Sequence, residues 1–143
     1  MCGFTGFYIN SDMPQQGLEE TVIKMANTLE HRGPDDSGIW IDSQKRIALG
    51  HKRLSIIDVS SSGHQPMTSE SHKYVIALNG EIYNHIQLRR ELNEINPKRK
   101  WNGHSDTETL LAGFEAWGIN KTLSKSVGMF AMALWDNKKN QLH

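Results

Sequence analysis

MCGFTGFYIN, residues 1–10, is the stretch on which the fold turns. It places the only cysteine of a 143-residue chain at position two, directly before an apolar and aromatic run. Residues 3–9, GFTGFYI, predict a short buried strand stopped by NSDMP. A strand this early draws into the fold a chain end that would otherwise fray. Three readings of Cys2 then compete. It is a small buried hydrophobe, as free cysteines often are. It is a metal ligand, although there is no second cysteine and the seven histidines show no H-E-x-x-H spacing. Or it is a nucleophile whose base is its own α-amino group, freed by removal of Met1. An α-amine titrates at about 7.7–8.0, so near pH 7 a part of it is neutral and can take the thiol proton. The position alone leaves all three open.

Composition narrows the class. Sixteen basic residues balance sixteen acidic ones, the pI is about 7.1, and no basic stripe points to nucleic acid. One cysteine cannot form an internal disulfide. No apolar run approaches the ~18 residues of a membrane span, and the N-terminus lacks the basic region of a signal peptide. The Asn120-Lys121-Thr122 glycosylation triplet is read as chance without an export signal. The expectation is a soluble cytoplasmic protein with no membrane and no nucleic-acid partner.

Along the chain, residues 17–31 predict a helix with Leu18, Val22, Met25, Ala26 and Leu29 as its apolar stripe. HRGPDDSG, residues 31–38, is a loop, because Gly33-Pro34 cannot continue a helix. IWI and RIALGH read as two strands around a turn at 42–45, and RLSIIDVS extends the second. Residues 60–73 read as a polar, mobile loop and YVIAL, 74–78, as a strand. A helix over 82–95 has Ile82, Ile86, Leu92 and Ile95 inward. SDTE at 105–108 has capping-box spacing and opens a helix that Gly118 stops. MFAMALWD is a late strand, and QLH begins another that three residues do not finish. A strand that short predicts that the sequence is a piece of something longer.

Six blocks occur in order: CGFTGFY, HRGPDDSG, HKRLSIID, LNGEIYN, SDTETLL and GMFAMALWD. Together they resemble the glutamine-hydrolysing domain of asparagine synthetases, a class II glutamine amidotransferase of the N-terminal-nucleophile type. The resemblance spans residues 1–143. It implies an α+β fold, the four-layer αββα sandwich with two antiparallel sheets between helices. It also implies L-glutamine as substrate and release of ammonia from its side-chain amide.

The resemblance assigns roles by position. Cys2 is the nucleophile that forms a thioester. The Asn79 side chain and the Gly80 backbone N–H hold the oxyanion, and glycine at 80 lets the backbone come close. Alone, Asn79-Gly80 reads as a tight hairpin turn; the helix pattern after it and the family match favour the oxyanion role. Arg53 takes the glutamine α-carboxylate, for which a guanidinium is geometrically suited. Glu81 and Asp106 take the α-ammonium. Leu54, Ser55, Ile56 and Ile57 line the pocket, Ile56 or Ile57 also packing the core. His31–Asp35 shape the site without reacting.

The resemblance further implies a synthetase domain in cis that uses ATP and Mg²⁺ to amidate aspartate, and it allows a homodimer. No Gly-rich pyrophosphate loop occurs in these residues, so no cofactor is expected here. With Met1 attached, the α-amine is absent. Two rivals remain: a glutamine-binding domain without turnover, and an amidotransferase serving another acceptor. A Cys-His-Asp triad needs a cysteine on an internal elbow, which the sequence lacks.

Overall fold

The strand most buried in the chain sits at the centre of a sheet with the N-terminus at its edge. In the computed structural model, which describes residues 2–10, 14–55 and 60–143, this strand is β3 (Ile47–Arg53), buried at every position. It pairs antiparallel with β1 (Gly3–Tyr8) on one side and β2 (Asp36–Asp42) on the other. Alternate side chains of β3 serve two faces. Ile47 and Leu49 turn inward to Val75 and Trp135 of the second sheet. The opposite face is covered by α1 (Gln15–Asn27), which buries Leu18, Val22 and Ala26.

The second sheet runs β4 (Met67–Thr68), β5 (Tyr74–Ile82), β6 (Gly128–Asp136) and β7 (Gln141–Leu142), in that spatial order and antiparallel throughout. Tyr74, Ile76 and Leu78 of β5 pack outward onto a helical layer. That layer is α2 (His85–Ile95), α3 (Asp106–Trp117) and α4 (Ile119–Lys125). Leu88, Leu110 and Phe114 are its buried contributors. Helix, sheet, sheet and helices thus stack in four layers, as expected for the αββα sandwich. No helix among the described residues is long and apolar enough to cross a membrane.

Several elements differ from the sequence reading. The first helix stops at Asn27, and Glu30–Arg32 forms a separate 3₁₀ turn. β1 is an edge strand and only half-buried, with Tyr8 exposed to solvent. The strand predicted over 74–78 runs on to Ile82, so Asn79-Gly80 lies inside β5 and the following helix begins at His85. The long pairing with β6 carries it past the Asn-Gly pair. Ile86 and Ile95 are therefore exposed, and the buried face of α2 is Leu88, Arg89 and Leu92. The loop 60–73 contains β4 and buries Gln65 and Ser69. β3 ends at Arg53, so Leu54 and Ser55 do not extend it as expected, and 56–59 lie outside the described residues. The sequence pattern stops the helix at Gly118, but that residue, at φ +84°, both ends α3 and opens α4.

Candidate active site

Sheet register brings the chain's second residue to the end of β3. Gly3 pairs with Lys52, so Cys2 falls beside Arg53 and Leu54. The Leu54 N–H donates to Cys2 Sγ at 3.3 Å, and Sγ lies 3.6 Å from the Leu54 carbonyl. Arg32 Nε donates to the Cys2 carbonyl at 3.0 Å. The HRGPD loop therefore clamps the nucleophile candidate from outside. The same loop stitches the opposite chain, with Asp35 N–H donating to the Arg53 carbonyl at 3.0 Å and Ser55 N–H to Asp35 Oδ2 at 2.8 Å.

A cleft of about 220 Å³ opens between the ends of the two sheets. Cys2, Arg53, Leu54, Asn79, Gly80, Glu81 and Asp106 all line it, although they come from four places in the sequence. Ser55 does not line it, because its backbone is turned to Asp35. Ile56 and Ile57 lie outside the described residues.

Each wall has a physical reason for its position. Arg53 is only 7 % exposed, and its Nη1 donates to the Ser60 carbonyl at 2.9 Å. Gly63 leaves room for that guanidinium: a Cβ there would stand 1.9 Å from Arg53 Nη2. Gly80 is extended at φ +148°, a conformation other residues rarely take, and a Cβ there would stand 2.2 Å from the Met129 carbonyl. The Asn79 carboxamide oxygen is buried without a partner among the described residues. A side chain serving only a turn would spend that oxygen on nearby backbone.

Asp106 is buried and accepts two backbone hydrogen bonds, from Ile82 N–H at 2.8 Å and Thr107 N–H at 2.9 Å. It thereby ties the end of β5 to the start of α3. The capping box is half as expected. Ser105 Oγ accepts from Glu108 N–H at 3.2 Å, but Glu108 reaches back past Ser105 to the N–H groups of Asn102 and Gly103. Arg89 locks this corner from α2, donating to the carbonyls of Gly103 and Ser105 and to Glu108. The cleft thus carries a cation on the β3 side and two carboxylates on the β5–α3 side, as a zwitterionic ligand requires.

The sequence reading missed Gly63, Gln65 and Thr107, which also line the cleft. Gly63 and Gln65 sit in a Ser-rich run whose polarity reads as solvent exposure, and no periodicity marks them. Nor did it assign His51, which is fully buried and whose Nε2 lies 2.9 Å from the Leu78 carbonyl. Burial holds the His51 imidazole below its ordinary pKa of 6.5, against opposing pulls from that hydrogen bond and from Asp36.

Comparison with known proteins shows the family and the likeness of fold. A family model described as a glutamine amidotransferase domain matches residues 1–143. The chain is 40 % identical over 144 residues to glutamine-hydrolyzing asparagine synthetase 1 of Bacillus subtilis, covering 100 % of this chain and 22 % of that protein. It is 34 % identical over 152 residues to amidase chry2 of Gibberella zeae, covering 99 % and 22 %. The chain therefore spans about 22 % of the length of these relatives. Among solved structures, the glutamine phosphoribosylpyrophosphate amidotransferase from B. subtilis, complexed with ADP and GMP, is similar at a TM-score of 0.73. That match covers 95 % of this chain and 35 % of the other at 20 % identity, a likeness of fold.

Proposed function

The chain belongs to the glutamine amidotransferase domain family, and from that premise we propose that it hydrolyses the side-chain amide of L-glutamine through a Cys2 thioester. The observation that carries this is convergence: nucleophile candidate, oxyanion donors and opposite charges for a zwitterion line one cleft. Removal of Met1 frees the Cys2 α-amine, which takes the thiol proton. The thiolate adds to the amide carbon, and the carbonyl electron pair becomes the oxyanion. Asn79 Nδ2 and the Gly80 N–H receive that charge, which exists only in the transition state and intermediate. The intermediate collapses as the α-ammonium protonates the departing nitrogen, releasing ammonia and leaving the thioester. Water, deprotonated by the same amine, cleaves the thioester to glutamate and returns the thiol. Arg53 pairs with the substrate α-carboxylate, and Asp106 with Glu81 accepts from its α-ammonium.

In the whole protein, the ammonia is passed to an ATP- and Mg²⁺-dependent step outside these 143 residues. The similarity to a glutamine-hydrolyzing asparagine synthetase supports aspartate as acceptor. The similarity to amidase chry2 supports keeping a different acceptor as a second reading, since the same glutaminase half can feed either.

The test is Cys2→Ala in the processed protein. Ammonia release from glutamine is expected to vanish while glutamine still raises the melting temperature. Turnover retained in this variant would remove Cys2 as nucleophile. A wild type that binds glutamine without releasing ammonia would make this a binding domain.

A further inference from the structure

β5 loses its neighbour just before the residue that matters most. β4 pairs Met67 with Ile76 and Thr68 with Val75, and there it ends. Continuing the same antiparallel register would set residue 65 opposite Leu78, the residue preceding Asn79. No backbone ladder from β4 reaches that point. A strand residue directs its N–H and C=O to the same side, so Leu78 presents both groups to the gap.

Two buried side chains occupy it. Gln65 Oε1 accepts from the Leu78 N–H at 2.6 Å. His51 Nε2 lies 2.9 Å from the Leu78 carbonyl and must donate to it, because a carbonyl only accepts. The Leu78 N–H likewise fixes which end of the Gln65 amide faces it. The other end, Nε2, then donates to Thr107 Oγ1 at 3.3 Å. Thr107 in turn donates its N–H to Asp106. Gln65 is itself seated firmly: a Cβ on Gly38 of β2 would stand 2.2 Å from the Gln65 carbonyl, so that backbone lies against the first sheet. One residue, 6 % exposed, thus lies with its backbone against β2 and ties β5 to the start of α3 through its side chain, at the cleft.

We infer that Gln65 is a positioning residue for the oxyanion donors, standing in for a missing strand partner at Leu78 and so setting the peptide that leads into Asn79 and Gly80. Its link to Thr107 keeps the ammonium-binding end in register with the oxyanion end. This rests on the proposed role of Asn79. Gln65 acts through its neighbours and does not react.

The test is ammonia release by the full, processed chain, with Gln65→Leu, Asn79→Ala and the double variant compared with wild type. Misplacing a donor by an ångström is costly, so Gln65→Leu is expected to lower kcat about ten- to hundredfold. In the Asn79→Ala background the same change is expected to lower kcat by a clearly smaller factor, because one of the two donors it positions is already gone and only the Gly80 N–H remains to be misplaced. Gln65→Glu, whose carboxyl burial keeps protonated, accepts from the Leu78 N–H through one oxygen and donates to Thr107 Oγ1 through the other, and is expected to retain kcat within about threefold of wild type. A folded Gln65→Leu with wild-type kcat would overturn the inference. So would an equal loss in both backgrounds, which signals a general structural role. If Gln65→Leu does not fold, Gln65→Glu decides: a loss of about tenfold or more counts against the inference. A wild type without turnover would bring down the glutaminase reading itself, whereas an active wild type with an unaffected Gln65→Leu defeats only the positioning role.

Discussion

Gly63→Ala adds one methyl group to the chain and aims it at a guanidinium. The new Cβ would lie 1.9 Å from Arg53 Nη2 and 2.5 Å from Cζ, where ordinary contact begins at 3.4 Å. Gly63 has no left-handed backbone to protect, so alanine fits its main chain. The flexible end of Arg53 must give way instead. Its retreat loosens the 2.9 Å bond to the Ser60 carbonyl, a stability cost of about 1 kcal/mol. If Arg53 holds the glutamine α-carboxylate, the retreat also removes one charge-assisted hydrogen bond, worth about 1.5–3 kcal/mol. That is about a ten- to hundredfold rise in KM. kcat should change little, because the lost contact is remote from the amide carbon and equal in ground and transition states. The assay is steady-state ammonia release against glutamine concentration, with glutamine titrated calorimetrically into the Cys2→Ala background to obtain Kd directly. Arg53→Ala should raise KM at least as far, and Gly63→Ala added to it should do nothing more. A folded Gly63→Ala with KM within about twofold of wild type would refute Arg53 as the carboxylate anchor.

Asn79→Ala should lower kcat about 100- to 1000-fold with little change in stability; a loss of tenfold or less would return Asn79 to a purely structural role. Arg89→Leu strands Glu108 without its buried partner and releases the carbonyls of Gly103 and Ser105, so urea unfolding should show a loss of about 3–5 kcal/mol. Less than about 1 kcal/mol would mean that the corner before α3 stands without it. Burial shifts His51, and the half-buried His85, below their ordinary 6.5. The unfolded chain then binds more protons than the folded one in acid, so their contribution is complete above about pH 6.5 and lost as pH falls toward the folded values. Melting temperature should decline from about pH 6.5 to 5, and a flat profile there would contradict it.

Much of this architecture is visible in local pattern. The α1 stripe of Leu18, Val22 and Ala26 is buried as its spacing predicts, and Ser105 caps α3 as its sequence predicts. Failures fall where a residue's fate is settled by a distant neighbour. Asn79-Gly80 carries the local signature of a turn, yet pairing with Ala131 and Phe130 extends β5 through it. Ile82, Ile86 and Ile95 fit a helical stripe, but Ile82 belongs to the strand and the other two meet solvent. Gln65 and Gly63 look like loop residues because what makes them matter, Leu78 and Arg53, is not adjacent to them in sequence.

Residue order alone pointed to the proposed chemistry: a single thiol at position two, an amide before a glycine, and a base and acids suited to a zwitterion. Those are properties of side-chain type and position, and folding does not alter them. Their assembly was decided by the pairing of β1 with β3 and of β5 with β6, and by Asp106 bridging β5 to α3. Register is a long-range quantity, set by which faces can be buried together, and one residue of slip would turn Arg53 and Asn79 to the opposite faces of their sheets.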